Sequence, residues 1–179
     1  LLGWDNVPFL ATTYATNEKL WSAAKGKVNS QLADLNLVAL YTCPWPGQGF
    51  YFNKSVNSSA DTQGIKFRSY NSATATFAEE LGMIPVQIEA AELSQALATG
   101  VAEAFISSGS TGYDRKVWES LTHYYKVNAW LPRNYVIVNK GVWDGLSDIT
   151  RANITKAADE TGAACTAKFE KLGEKITEE

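Results

Sequence analysis

The fold is decided by residues 65–106, which read IKFRSYNSATATFAEELGMIPVQIEAAELSQALATGVAEAFI. Apolar runs of strand length alternate there with helical patterns; the runs are 65–69, 85–88 and 102–106, and the helices are 72–81 and 91–99. Gly82 and Gly100 stand where the two helices should end. Strands that alternate with helices over short links predict a mostly parallel sheet built from βαβ units. The predicted fold class is therefore α/β.

The same pattern extends to both sides of this stretch. It predicts helices at 16–35, 114–121 and 147–177, and extended segments at 37–42, 50–52, 124–131 and 134–139. We expect Thr16 to cap the first helix, and the apolar run 37–42 to be covered on both faces of a sheet. Two Pro and two Gly make residues 43–49 a loop, and this loop carries Trp45 and Gln48.

The composition excludes several classes of protein. The 179 residues have a net charge of −3, with 45% apolar and 20% charged residues, which is typical of a globular chain. No basic surplus is present to neutralise phosphates, so we expect no nucleic-acid partner. No apolar run approaches the roughly 20 residues of a membrane helix, so we expect a protein that is not membrane-inserted.

The sequence also lacks the motifs of cofactor and metal chemistry. It has no phosphate-binding glycine motif and no Cys/His spacing of a zinc site. We therefore expect no cofactor, no metal and no catalytic residue. Cys43 and Cys165 lie far apart in the chain. A disulfide between them is possible but cannot be derived from spacing, and we expect two unpaired buried thiols.

Polar side chains follow the predicted strands. Ligands of open parallel sheets bind at the carboxyl ends of the strands, beside helix N-termini. Arg68 stands at such an end, and its planar guanidinium can bind a carboxylate through two parallel hydrogen bonds. The alternative for Arg68 is a structural ion pair with an Asp or Glu of the protein. Further candidates near strand ends are Asn71, Ser107, Ser108 and Asn134.

Two of these features allow opposite interpretations. Trp45 is either a hydrophobic wall over a ligand or a loop aromatic that fills the edge of the core. The turn at 107–112 is rich in hydroxyl groups. It either donates hydrogen bonds to a ligand or forms an ordinary connection between a strand and a helix.

Four ordered blocks of the sequence are more specific than any single motif. They are ADTQGIKFR (60–68), LGMIPV (81–86), ELSQALATGV (92–101) and VNKGVWDGL (138–146). In order and spacing, these blocks resemble the solute-binding proteins of tripartite ATP-independent periplasmic (TRAP) transporters.

The resemblance implies a periplasmic-binding-protein-like fold with two lobes, mixed and mostly parallel sheets flanked by helices, and a long connecting helix. It assigns residues 1–42 to part of the first lobe and 43–131 to the second lobe, which holds the ligand-binding arginine. Residues 132–179 then form a crossover strand and the long C-terminal helix. Full members of the family are longer, so we expect this chain to lack the N-terminal part of the first lobe.

The resemblance also implies roles for single residues. Arg68 corresponds to the arginine that pairs with the ligand carboxylate, and Asn71 to an asparagine that the family uses at the same site. Ser107 falls where many members carry Asn. The remaining expected ligand contacts are Trp45, Gln48, Ser108, Trp130 and Asn134.

The resemblance thus predicts a periplasmic (extracytoplasmic) receptor, not an enzyme. It would bind a small organic acid and deliver it to the membrane permease subunits of a TRAP transporter. One alternative is a sensor or scaffold fragment of the same fold that binds partners through its surface. The other is an enzyme on a bilobal α/β scaffold, which needs a general base; the candidates are Glu92, Glu103 and His123.

Overall fold

The computed structural model describes residues 3–175 and divides into two compact units. Unit 1 combines residues 3–46 with residues 130–175, and unit 2 is residues 47–129. The strands of the described chain are β1 (Leu37–Pro44), β2 (Gln48–Phe52), β3 (Lys66–Ser69), β4 (Ile84–Gln87), β5 (Ala104–Ser108), β6 (His123–Tyr125) and β7 (Arg133–Asn139). Its α-helices are α1 (Tyr14–Asp34), α2 (Ser72–Glu80), α3 (Leu93–Ala98), α4 (Gly109–Asp114), α5 (Lys140–Asp144) and α6 (Asp148–Lys175). The predicted α/β class is confirmed.

The first helix begins earlier than predicted. Thr13, not Thr16, is the N-cap of α1. The Thr13 hydroxyl accepts the Thr16 N–H at 3.1 Å, and the Thr16 hydroxyl accepts the Thr13 N–H at 3.1 Å. The two residues therefore satisfy two otherwise unpaired backbone donors at the start of the helix.

Unit 1 contains a two-stranded antiparallel sheet. β1 pairs with β7, from Leu37 opposite Asn139 to Pro44 opposite Arg133. Residues 37–42 of β1 are only half-buried, so the expectation that this run is covered on both faces is wrong. A continuous apolar run does not reveal how many neighbours a strand has.

Cys43 of β1 and Cys165 of α6 form a disulfide, with Cα atoms 5.9 Å apart. The expected pair of unpaired thiols is therefore wrong. The helix approaches the strand closely because Gly162 has no side chain; a Cβ there would lie 3.1 Å from Cβ of Tyr41. The cysteines are 122 positions apart, so only the packing of α6 on β1 brings them together.

A buried polar cluster around Arg133 links β7 with α1, with β1 and with the 3₁₀ turn Trp4–Asn6, which contains Asp5. The guanidinium donates to Oδ1 of Asn17 at 2.7 Å, to Oγ1 of Thr42 at 2.9 Å and to Oε2 of Glu18 at 2.5 Å. The Arg133 backbone N–H donates to Oδ2 of the buried Asp5 at 2.7 Å. One side chain on β7 therefore holds α1 and β1 in place.

Unit 2 contains a mixed five-stranded sheet in the order β4-β3-β5-β2-β6. β3 runs parallel to β4 and β5, whereas β2 runs antiparallel to β5 and β6. The sheet is therefore parallel only in the part that the βαβ pattern predicted. The antiparallel part arises because β2, which precedes the pattern in the chain, pairs with β5.

The helix predicted at 114–121 is wrong in position. α4 spans Gly109–Asp114, and a 3₁₀ turn follows at Val117–Glu119 after Lys116 in a left-handed conformation. Gly112 lies within α4 because a Cβ there would meet the Tyr51 hydroxyl oxygen at 2.4 Å. Packing against Tyr51 thus selects a glycine-containing segment that helix propensity disfavours.

The long C-terminal helix is confirmed as α6 up to residue 175; its predicted end at 176–177 lies outside the described residues. Among the described helices, none combines the length and apolar character that crossing a bilayer requires.

Removing the disulfide should destabilise the protein. We expect the C43S/C165S variant to lose about 3–5 kcal/mol of unfolding free energy, because the crosslink restricts the unfolded chain over a long loop. Urea unfolding followed by circular dichroism measures the loss. Reductant should shift the wild-type midpoint to the same value and leave the variant unchanged; identical midpoints for wild type and variant would contradict the prediction.

The Arg133 side chain should stabilise the folded protein. We expect Arg133→Met to lower the unfolding free energy by about 2–3 kcal/mol, because it removes the donor of the buried Asn17 Oδ1 and the bonds to Thr42 and Glu18. Arg115 is the matched control, since its side chain is exposed and takes part in none of the ion pairs of residues 3–173. Arg115→Met should cost less than about 1 kcal/mol. Equal urea midpoints for the two variants would show that the cluster is not a stabilising element.

Candidate functional site

Arg68 lies near the carboxyl end of β3, between two parallel neighbours. It is in register with Val86 of β4 and Phe105 of β5. The residue is buried, with 6% of its surface exposed. Its Nε–H donates to the backbone carbonyl oxygen of Ile88 at 2.8 Å, which fixes the direction of the guanidinium.

The guanidinium of Arg68 forms no ion pair with an acidic side chain of residues 3–173. The ion pairs of these residues join Arg133 with Glu18, Lys140 with Asp144 and Arg151 with Asp148. The two terminal nitrogens of Arg68 make no hydrogen bond to the described part of the chain. No structural ion pair of Arg68 is therefore found among these residues.

The cation at Arg68 has lost much of its hydration. Burial lowers the pKa of the guanidinium below its usual value; Tyr70 and Glu89 act in the opposite direction, and Arg115 adds to the lowering. The Tyr70 ring centroid lies 5.2 Å from Cζ of Arg68, within range of a cation–π interaction. Arginine nevertheless remains protonated at neutral pH. The site therefore holds a positive charge that a bound anion would stabilise.

Asn71 caps the helix that follows. Its Oδ1 accepts the backbone N–H of Thr74 at 2.9 Å, and the residue is half-buried. The side-chain oxygen is thus used by α2, while the Nδ2 group makes no hydrogen bond to the described residues. Asn71 can offer a ligand only its N–H donors.

Ser107 and Ser108 begin a hydroxyl network at the end of β5. Ser107 Oγ donates to Oγ1 of Thr111 at 2.8 Å, and Ser108 Oγ lies 2.7 Å from Oγ of Ser110. Ser108 is 1% exposed, whereas Ser107 is half-buried. Since Ser107 lies two residues beyond Phe105, it is on the same face of the sheet as Arg68. Ser107 is therefore the better placed of the two to accept a hydrogen bond from a ligand.

Gln48 begins β2 and pairs with Ser108 in the antiparallel register. The residue is 4% exposed, and its backbone carbonyl accepts the Ala129 N–H at 2.9 Å. The structure therefore gathers five of the predicted site residues near the carboxyl ends of the parallel strands of unit 2: Arg68, Asn71, Ser107, Ser108 and Gln48.

The other predicted contacts belong to unit 1. The Trp45 ring packs on Phe169 of α6, with centroids 4.7 Å apart, so it does fill the edge of that unit's core. Trp130 is 1% exposed, and Asn134 is exposed on β7 opposite Cys43. A ligand contact by these three residues stays a prediction. The neighbouring Arg133 is occupied by its own cluster, unlike Arg68.

Sequence reasoning missed Tyr70 and Thr74. Thr74 is fully buried, and its Oγ1 accepts the N–H groups of Tyr70 at 3.1 Å and Asn71 at 3.2 Å. The Asn-x-x-Thr spacing of residues 71–74 is a capping-box pattern that could have identified Thr74. No local signal indicates that Tyr70 stacks on Arg68.

Two of the three candidate bases of an enzyme, Glu103 and His123, lie at the end of the sheet opposite to Arg68. Glu103 precedes β5, and its carboxylate accepts the N–H of Lys66 at the start of β3. His123 pairs with Phe52 at the same end of the sheet, opposite to the end that carries Arg68. Glu92 is exposed next to the start of α3. The described residues also contain no group of three or more His, Cys, Asp or Glu side chains that could hold a metal ion.

Comparison with solved structures gives close matches. An 80%-identical neighbour is a marine metagenome TRAP solute binding protein specific for pyroglutamate, with co-purified pyroglutamate; it superposes with a TM-score of 0.97 over 99% of this chain. DctP6 of Bordetella pertussis, an extracytoplasmic solute receptor binding pyroglutamic acid, is 38% identical over 98% of this chain, with a TM-score of 0.95. This chain covers 58% of each of those two chains.

Comparison with curated proteins and family models agrees. The C4-dicarboxylate-binding periplasmic protein DctP of Rhodobacter capsulatus is 27% identical over 160 residues, which are 87% of this chain and 47% of that protein. The model of the family named DctP, "Bacterial extracellular solute-binding protein, family 7", matches residues 2–179. The resemblance to TRAP solute-binding proteins is confirmed, and the chain belongs to the bacterial extracellular solute-binding protein family 7.

Proposed function

We propose that the protein is an extracytoplasmic receptor that binds a small organic acid by its carboxylate and delivers it to the membrane permease of a TRAP transporter. The observation that carries this proposal is Arg68: a buried cation whose terminal N–H groups have no partner in the described chain. The fork of two parallel N–H donors matches the two oxygens of a carboxylate. In this proposal, residues 43–131 are the ligand-binding lobe.

Pyroglutamate is the ligand that we propose to test first, because relatives at 80% and 38% identity bind it. It carries one carboxylate and a neutral lactam. Arg68 is the one buried charged side chain in the described part of unit 2, so a ligand with one charge suits the site. The lactam can hydrogen-bond to neutral groups, and Asn71 Nδ2 and the Ser107 hydroxyl are the available donor and acceptor.

The position of Arg68 also favours binding over catalysis. Glu103 and His123 lie at the other end of the sheet, so neither supplies a general base beside the carboxylate. In the proposed function, pyroglutamate is therefore bound and released unchanged, and chromatography of the ligand after incubation with the protein tests this point.

Binding should depend on the Arg68 guanidinium. We expect Arg68→Met to weaken pyroglutamate binding at least about 100-fold, since the carboxylate loses a desolvated charge partner. Arg68→Lys should bind with intermediate affinity, because it keeps the charge and loses the fork. Isothermal titration calorimetry measures the three affinities.

The matched control is Lys66→Met, which removes an exposed cation from the same strand and should bind like wild type. The neutral primary amide of pyroglutamate should not bind. Equal affinities of wild type and Arg68→Met, or no binding of pyroglutamate or other small carboxylates by wild type, would overturn the proposed function.

The unliganded protein should not need Arg68 for stability. We expect the unfolding free energy of Arg68→Met to lie within about 1 kcal/mol of wild type, because relief of charge desolvation offsets the lost hydrogen bond to Ile88. Urea unfolding without ligand measures this difference. A loss of more than about 2 kcal/mol would assign Arg68 a structural role like that of Arg133.

A further inference from the structure

A buried hydroxyl group binds the backbone of the segment after Arg68. Thr74 is 0% exposed, and its Oγ1 accepts the backbone N–H of Tyr70 at 3.1 Å and that of Asn71 at 3.2 Å. The same oxygen lies 2.9 Å from the carbonyl oxygen of Asn71, to which it donates. The Thr74 hydroxyl therefore uses its donor and two acceptor positions on two consecutive residues.

These contacts exceed what capping α2 requires. In a capping box, the side chain of the third helical residue accepts the N–H of the cap residue alone. Thr74 meets this requirement through Asn71. Its second bond reaches Tyr70, which precedes the cap and contributes nothing to the helix ends. The additional bond thus fixes the residue that stacks on Arg68.

Two neighbours of Arg68 define the plane of its guanidinium. The carbonyl oxygen of Ile88 accepts Nε–H at 2.8 Å, and the Ile88 N–H is itself bound to the carbonyl of Ser69 at 3.2 Å. The Tyr70 ring lies against the guanidinium, 5.2 Å from Cζ. The carbonyl thus restrains one edge of the guanidinium, and the ring restrains its tilt.

We propose that Thr74 is a positioning residue of the binding site, which acts through Tyr70 to hold the Arg68 fork ready for a carboxylate. This inference rests on the proposed function. Loss of the Thr74 hydroxyl removes the acceptor of the Tyr70 backbone N–H, so the ring is held less firmly against the guanidinium. The terminal nitrogens then have to be ordered by the ligand. Ordering at the time of binding lowers the affinity.

The test compares two buried threonines of unit 2. Thr74→Val removes the positioning hydroxyl, and Thr74→Ser retains it. Thr62 is the matched control, because it is 4% exposed and its hydroxyl donates to Ser59 and Leu81 carbonyls before the start of β3. Thr62→Val therefore removes a comparable buried hydroxyl at the opposite end of the strand from Arg68.

Two readouts are used on the full chain. The first is the ¹⁵N relaxation order parameter of the Arg68 Nε–H group without ligand, and the second is the pyroglutamate Kd by calorimetry. We expect Thr74→Val to lower the order parameter towards mobile values, about 0.6 or less. Its Kd should rise about tenfold. Thr74→Ser and Thr62→Val should match wild type in both readouts.

A second variant guards against misfolding of Thr74→Val. Tyr70→Leu removes the ring and keeps the bond from the backbone N–H of residue 70 to Thr74, so it should reproduce both effects. If Thr74→Val and Tyr70→Leu bind pyroglutamate like wild type while Arg68→Met does not, the positioning role is wrong and the proposed function stands. If Arg68→Met binds like wild type, both are overturned.

Discussion

The proposed function of unit 2 depends on the buried guanidinium of Arg68, which forms no ion pair with a described carboxylate of the protein. Burying a charge is unfavourable by several kcal/mol unless an opposite charge compensates it. Among residues 3–173, the guanidinium contacts one carbonyl oxygen and one aromatic ring and forms no ion pair; the Glu89 carboxylate acts on it only through longer-range electrostatics. In the proposed function, the two terminal nitrogens bind a ligand carboxylate. This buried charge, more than the fold, points to a small organic acid as ligand.

The two buried arginines of the described residues have opposite surroundings. Arg133 in unit 1 is bonded through its guanidinium to Asn17, Thr42 and Glu18, so each of its three nitrogens already has a protein partner. Arg68 in unit 2 uses only Nε. Arg133 joins α1 to the strands β1 and β7. Arg68 is bonded to the residue after β4, and in the proposed function it also binds the ligand carboxylate. Both follow apolar or aromatic residues in the sequence, so local composition cannot separate a structural arginine from a binding one.

Local signals predicted the regular elements well and the connections between elements poorly. The alternation of strands and helices from residue 65 to residue 106 is observed, because apolar periodicity and terminal glycines act within a few residues. The helix expected at 114–121 lies at 109–114 instead. There Gly112 packs directly against the side chain of Tyr51 on β2, a contact between distant parts of the chain. The disulfide of Cys43 was missed for the same reason: its partner is distant in the chain and meets it only through helix packing.

The sequence by itself determined the α/β class, the family and the choice of Arg68 as the candidate residue for binding a carboxylate. Each of these depends on residue types and spacings within short blocks. Only the tertiary structure decided that Arg68 forms no ion pair among residues 3–173, that Tyr70 lies against it, and that Thr74 binds the backbone of Tyr70 and Asn71. Ion pairing, stacking and burial are properties of neighbours in space. They are established when strands from separate parts of the chain pair, and no local pattern records which side chains will then meet.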